Sequence, residues 1–234
     1  MLLLAFETSA KAASVALMDG NRLLGESYQN TGLTHSQTLM VMAQDLIKQC
    51  GRTPTDVTHV AVAAGPGSFT GVRIGVAATK GFAWGACLPC YGVSTLESMA
   101  LGLGIWNGTI CAAMDARRAQ VYNALFEVKN GEISRICEDR AISLAELAEE
   151  LKAIDGPVYL VGDGAALCHR TLTELPLILP PEWKQHQRAV GVALAAAAQI
   201  AAGLPGDGAA LTPNYLRLSQ AERERLEKEK KGAQ

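Results

Sequence analysis

The chain has 234 residues, 49% hydrophobic and 19% charged, an ordinary globular composition long enough for one large core or two smaller lobes. Lys and Arg number 21 against 23 Asp and Glu, a net charge of −2, which argues against a protein that grips nucleic acid tightly by itself. No apolar run is long enough to cross a bilayer, the opening Met1–Glu7 lacks a basic leader, and six scattered cysteines suggest free thiols, so a cytoplasmic protein is expected.

The first third predicts strands over Leu2–Phe6, Ser14–Met18 and Arg22–Tyr28, with Asp19-Gly20-Asn21 as a hairpin turn. A helix is expected from Thr34, where Thr34 and Gln37 have capping-box spacing and Gly51 supplies a stop. Its apolar face reads Leu39, Met42, Ala43, Leu46, Ile47 and Cys50. The strand Val57–Ala64 then leads into Gly65-Pro-Gly-Ser-Phe-Thr70 and a helix over Thr70–Gly85. In that helix Gly71, Gly75, Ala78, Gly81 and Gly85 recur at steps of three or four. Each interior Gly costs about 0.5–1 kcal/mol relative to Ala, so a bare stripe implies close approach by another backbone or a ligand.

A Gly-rich turn opening a helix is the usual cradle for phosphate. Here the spacing fits neither the dinucleotide fingerprint nor the P-loop, because Gly71 comes one residue late and no Gly-Lys-Ser/Thr follows. Arg73 in the early helix can meet an anion. The competing reading is a turn made by Gly65 and Gly67, with Ser68 or Thr70 as the helix cap and nothing bound.

The second half repeats the order of elements. Strands are expected over Thr109–Met114, Gln120–Val128 and Glu132–Glu138, with Asn130-Gly131 turning the last two. Ser143 and Glu146 form a capping box for a helix running to Ile154, with Leu144, Leu147, Ala148 and Leu151 on one face. The strand Val158–Val161, a helix from Ala165 to Leu172 and an Ala-rich helix from Arg188 to Ala202 complete it. A doubled strand-strand-strand-helix-strand-helix unit describes an α/β protein of two ribonuclease-H-like lobes with a cleft between them, as in actin-like ATPases and sugar kinases. The divisions expected are 1–104, 105–210, and a C-terminal segment with a charged helix over 211–234 that can return to the first lobe. In such a fold the first strand of each lobe ends at the cleft, which brings Glu7-Thr8-Ser9 and Asp115-Ala-Arg-Arg118 there. Glu7 and Asp115 can act as acid and base or as Mg²⁺ ligands, or they can cap turns and pair with Arg117 and Arg118.

Other motifs carry less. Cys87-Leu-Pro-Cys90 has no second pair at zinc spacing, and the 4 histidines form no His-x-x-x-His set. No Gly-x-Ser-x-Gly elbow is present, which disfavours a serine hydrolase. Ser219–Lys231 reads as a solvated helix with Glu224–Lys228 and Glu227–Lys231 pairs.

These residues resemble a known family, the bacterial tRNA threonylcarbamoyladenosine biosynthesis proteins called TsaB or YeaZ. The resemblance rests on Glu7-Thr8-Ser9, Gly65-Pro-Gly-Ser-Phe-Thr-Gly-Val-Arg-Ile-Gly75, Leu88-Pro-Cys-Tyr-Gly-Val-Ser-Thr-Leu96, Asp115-Ala-Arg and Pro213-Asn-Tyr-Leu-Arg217. It implies an actin-like fold and a required, non-catalytic role in installing threonylcarbamoyl on the adenosine beside the tRNA anticodon. Catalysis would belong to a paralogous TsaD-type partner whose metal is held partly by a His-x-x-x-His set; the matching stretch here, Ser94–Met99, has no histidine. No cofactor would be bound by this chain alone, while ATP and a metal ion would serve the complex. The implied partners are the TsaD-type subunit through a helical interface, a TsaE-type ATPase through the complex, a second copy when the partner is absent, and tRNA only weakly or through the complex; no membrane is implied. The interface is expected at Leu39, Met42, Leu46, Gly71, Val72, Gly75, Val76, Ala78 and Thr79. A vestigial phosphate site is expected at Glu7, Thr8, Ser9, Ser68, Arg73 and Asp115. The competing function is an actin-like ATPase or a glycoprotease-like peptidase acting on its own.

Overall fold

Leu2, Leu4 and Phe6 pack with one helical layer while Leu3 and Ala5 pack with another, so the first strand is apolar from Leu2 to Phe6 and buried on both faces. The computed structural model describes residues 1–217. The first lobe runs β1 (Leu2–Glu7), β2 (Ala13–Asp19), β3 (Arg22–Gln29), α1 (His35–Gln49), a 3₁₀ turn (Pro54–Asp56), β4 (His59–Gly65), α2 (Phe69–Ala86), β5 (Cys90–Ser94) and α3 (Thr95–Leu103). The second runs β6 (Gly108–Asp115), β7 (Gln120–Lys129), β8 (Glu132–Arg135), β9 (Arg140–Ser143), α4 (Leu144–Lys152), β10 (Val158–Val161), α5 (Ala165–Thr171), β11 (Leu177–Ile178), α6 (Glu182–Gln185) and α7 (Ala189–Ala201).

The sheets are ordered β3-β2-β1-β4-β5 and β11-β10-β6-β7-β8, with β9 pairing β7 as well. Each sheet has antiparallel first strands and then a parallel β-α-β step, β1 with β4 and β6 with β10. The doubled pattern read from sequence is thus the same topology twice.

Local signals were realised where the chain needed nothing from afar. Asn130 and Gly131 both have positive φ, the turn expected between β7 and β8. Ser143 and Glu146 make both bonds of the capping box. The Thr34 box does not form: Thr34 makes no side-chain cap bond, and the first turn of α1 is tied instead by His35 Nε2 to the Ala10 carbonyl at 2.8 Å. The strand expected over Glu132–Glu138 ends at Arg135 as β8, and a separate strand β9 follows at Arg140–Ser143. Between them Ile136 N–H donates to Leu125 O while Arg135 turns to the carbonyl of Cys137 and to Asp139, which bends the chain. The short strands β5, β9 and β11 and the helices α3 and α6 have no counterpart among the elements expected from sequence. The charged helix expected over 219–231 lies outside the described residues.

Helices α1 and α2 cover one face of the first sheet, and α4 and α5 cover the outer face of the second. The remaining faces share a layer made of α3 and α7. Helix α7 packs its alanines on Ala5, Ala16, Ala61 and Ala63 of the first sheet, while α3 packs Leu96, Met99 and Leu103 on the second. The two helices touch closely, for a Cβ at Gly191 would overlap the Ser98 carbonyl. A boundary at residue 104/105 therefore cuts through this layer, since α7 comes late in the chain but lies on the first lobe's sheet.

Candidate functional site

Because β1 and β6 occupy equivalent central places, Glu7 and Asp115 end their strands at the same side of the molecule. A cleft of about 510 Å³ opens there, lined by Ser9, Lys11, Ser68, Phe69, Asp115, Arg117, Tyr122, Asp163 and Arg217 among others. Of the expected site residues, the cleft brings together Ser9, Ser68 and Asp115. Lys11, Tyr122, Asp163 and Arg217 were not anticipated; only Arg217 stood in a motif that carried the resemblance.

The glycine loop packs against the protein's own backbone. Ser68 N–H donates to Ser9 O at 2.7 Å, and the Ser68 hydroxyl caps α2 by accepting from Gly71 N–H at 3.3 Å. The Thr8 hydroxyl donates to Gly71 O at 2.8 Å. A Cβ at Gly67 would press on the Ser9 backbone, one at Gly71 would overlap the Thr8 carbonyl, and one at Gly75 would overlap the Thr8 hydroxyl. The glycines thus let the end of β1 lie against the start of α2. The turn at Gly65–Gly67 and the Ser68 cap of the helix are both formed.

The two carboxylates differ in their surroundings. Glu7 is wholly buried; one oxygen accepts from Ser9 N–H at 2.5 Å, and Oε2 is buried without a partner. Burial pushes its pKa up to about 7, partly offset by the Ser9 bonds and reinforced by the nearby Asp163 charge. Asp163 is also raised by burial, while Gln187 Nε2 donates to it at 2.9 Å. Asp115 instead caps its own hairpin: Arg117 N–H donates to Oδ1 at 2.7 Å and the guanidinium to Oδ2 at 3.2 Å. Asp115 therefore follows the turn-and-ion-pair reading. Arg73 does not face the cleft; its Nε donates to the Tyr215 hydroxyl at 2.7 Å, and Tyr215 stacks on Phe69 with centroids 4.4 Å apart.

The expected interface residues correct in the same direction. Leu39, Met42, Leu46, Gly71, Val72, Gly75, Val76 and Thr79 are all buried, and Ala78 is half-buried against the same core. They face this chain's own sheet and strand ends, because both helices must cover that sheet. The glycine stripe is split: Gly71 and Gly75 meet β1, whereas Gly81 and Gly85 look into open space. The exposed residues of the pair include Met40 and Val41 on α1, Val41 near Glu26, Ser27 and Gln29 of β3, and Ala77, Gly81 and Trp84 on α2, Trp84 being 86% exposed near Gly208 and Ala209.

At Ser94–Met99 the donor set does not fit a metal ion. Arg135 donates to Asp139 at 2.7 Å and to Glu97 at 3.4 Å, and the Ser94 hydroxyl donates to Asp139 at 2.6 Å. A guanidinium already satisfies both carboxylates, and among the described residues no group of three or more His, Cys, Asp or Glu is placed to hold a metal. No helix among them is long and apolar enough to cross a membrane.

Two lobes of one topology, a cleft at the ends of their first strands and a shared helix layer define the actin-like class of two-lobed α/β proteins. A family model described as "TsaD: tRNA N6-adenosine threonylcarbamoyltransferase" matches residues 29–224, and the tRNA threonylcarbamoyladenosine biosynthesis protein TsaB of Bacillus subtilis (strain 168) is 34% identical over 234 residues, 98% of this chain and 100% of that one. The chain belongs to the TsaB (YeaZ) family of tRNA threonylcarbamoyladenosine biosynthesis proteins. TsaB of Escherichia coli (strain K12) is 37% identical over 167 residues, 70% of this chain and 72% of that one. The solved YeaZ from Pseudomonas aeruginosa superposes with a TM-score of 0.80 at 26% identity, covering 92% of this chain and 99% of that one.

Proposed function

We propose that this chain acts in tRNA threonylcarbamoyladenosine biosynthesis as a required, non-catalytic subunit that docks and activates a TsaD-type catalytic partner. The observation that carries the reading is the crowding of the glycine loop by this chain's own backbone: Ser9 takes the Ser68 amide, and Thr8 and Ser9 lie against Gly67, Gly71 and Gly75. The carboxylates of Glu97 and Asp139 add to it, since both are already engaged by Arg135. ATP and metal would then be held by the partner and by a TsaE-type ATPase that joins the complex.

The docking surface on this reading is the outward face of α1 and α2. Met40 and Val41 on α1 and Trp84 on α2 are exposed apolar side chains, and the exposed Ala77, Gly81 and Gly85 of α2 would let another helix come close. The same face would self-associate when no partner is present. Reconstitution of tRNA modification with a TsaD-type enzyme, ATP and a TsaE-type ATPase tests the proposal. Modification should require this chain and survive Glu7→Gln. ATP hydrolysis or peptide cleavage by the purified chain, abolished by Glu7→Ala or Asp115→Ala, would favour the independent-enzyme alternative instead.

A further inference from the structure

Resting on the reading that the chain serves a tRNA-modifying complex, we infer that the rim of the interlobe cleft contacts the phosphodiester backbone of the RNA, through Lys11, Arg118 and Arg217. Cations from three distant parts of the chain meet there. Lys11 lies in the β1–β2 connection, Arg117 and Arg118 in the β6–β7 hairpin, and Arg217 in the segment returning from the C-terminal side; Lys11, Arg117 and Arg217 line one cleft. The whole chain has a net charge of −2, so this concentration of positive charge is local.

The hairpin is held in an unusual shape that presents its arginines. Arg117, Arg118 and Ala119 have φ of 65°, 58° and 55°, a run of left-handed residues with no glycine. Asp115 fixes this turn through the Arg117 amide and guanidinium. Arg118 is exposed beside it, and neither Arg118, Lys11 nor Arg217 has a carboxylate partner among the described residues. Arg217 is anchored from behind, its Nη1 donating to the Ala116 carbonyl at 2.6 Å, which ties the returning segment to the hairpin.

The arrangement suits an extended polyanion lying across the rim better than a small phosphate bound within. The same cleft also holds the carboxylates of Asp115 and Asp163, and the Ser68 amide there is bonded to Ser9. The carboxylates in the lining disfavour a small anion enclosed by the cleft, whereas the exposed Arg118 beside it stays open to a chain of phosphates lying across the surface. Such contacts are sequence-independent and salt-sensitive, as backbone recognition is.

The test uses the assembled complex with its TsaD-type partner and full-length tRNA. Lys11→Gln/Arg118→Gln is compared with the intact chain and with Lys129→Gln, which removes an exposed charge at the opposite end of β7. The double variant should weaken tRNA binding by about tenfold near 0.1 M salt and lower the slope of log K against log salt by about 2, while Lys129→Gln leaves both unchanged. Partner assembly, followed by ultracentrifugation, should be unaffected. Unchanged tRNA affinity and slope in an assembled complex overturns the inference, as does a tRNA affinity of the complex that does not depend on this chain. Loss of partner assembly instead would make the rim a protein contact and also overturn it. Failure of the underlying reading looks different, since modification would then proceed without the chain.

Discussion

Thr8 and Gly71 hold each other from both sides: the Thr8 hydroxyl donates to the Gly71 carbonyl at 2.8 Å, while the Thr8 carbonyl fills the place where a Cβ on Gly71 would sit. Both contacts join the end of β1 to the first turn of α2, and the atom in the way is backbone, which cannot rotate aside. Gly71→Ala should therefore destabilise the fold by about 1–3 kcal/mol. Gly85→Ala, where a Cβ meets open space, should be neutral or stabilising by about 0.5–1 kcal/mol in the isolated chain. Denaturant unfolding of the two variants checks this; equal effects would refute the split of the glycine stripe.

The same division separates folding from association. Trp84→Ala and Val41→Asp alter exposed side chains and should leave unfolding nearly unchanged while weakening partner or self-association, Trp84→Ala by about 1–3 kcal/mol. Met42→Ala, one residue along α1 but buried, should cost about 2–5 kcal/mol of fold stability. Thermal melts alongside sedimentation velocity distinguish the classes. A Trp84→Ala chain that assembles normally would remove α2's outer face from the interface.

Glu7 predicts an unusual dependence on pH. Its folded pKa is raised from 4.5 to about 7, so between those values the folded state binds the proton that the unfolded state has released. Stability then falls as pH rises from about 4.5 through 7, and the full penalty stands above pH 7, on the order of 3 kcal/mol. Asp163, also raised, acts in the same direction. Glu7→Gln should flatten this slope and stabilise the protein at pH 8 more than at pH 5. Urea unfolding from pH 5 to 9 measures it; parallel curves for the two proteins would show Glu7 to be ionised throughout.

Arg135 joins the lobes. Ser94 closes β5 of the first sheet, Asp139 lies between β8 and β9 of the second, and Arg135 binds both Asp139 and Glu97 while lying over the Phe126 ring at 4.8 Å. Arg135→Met keeps much of the packing but leaves Asp139, 10% exposed, without its cation. The expected loss is about 1–3 kcal/mol, read as a lower unfolding midpoint. Added Zn²⁺ should not restore it, and a metal-dependent recovery would mean that this carboxylate pair accepts an ion after all.

What the amino-acid order determined unaided was whatever short-range chemistry decides. The turn at Asn130-Gly131, the Ser143–Glu146 box and the doubled run of strands and helices rest on neighbours within a few residues, and those readings hold. The motifs around Gly65–Gly75 and Pro213–Arg217 also carried the family before any coordinates. The direction in which α1 and α2 face was not legible, because both are apolar over a wide arc and only the position of the sheet decides which arc is covered. The Gly71 and Gly75 contacts to Thr8 likewise span the whole first lobe. The cleft was half visible: Ser9, Ser68 and Asp115 lie at strand and helix ends, whereas Lys11, Asp163 and Arg217 meet only because two sheets fold to one topology about the α3–α7 layer. Their convergence is a long-range consequence of packing, and no local pattern encodes it.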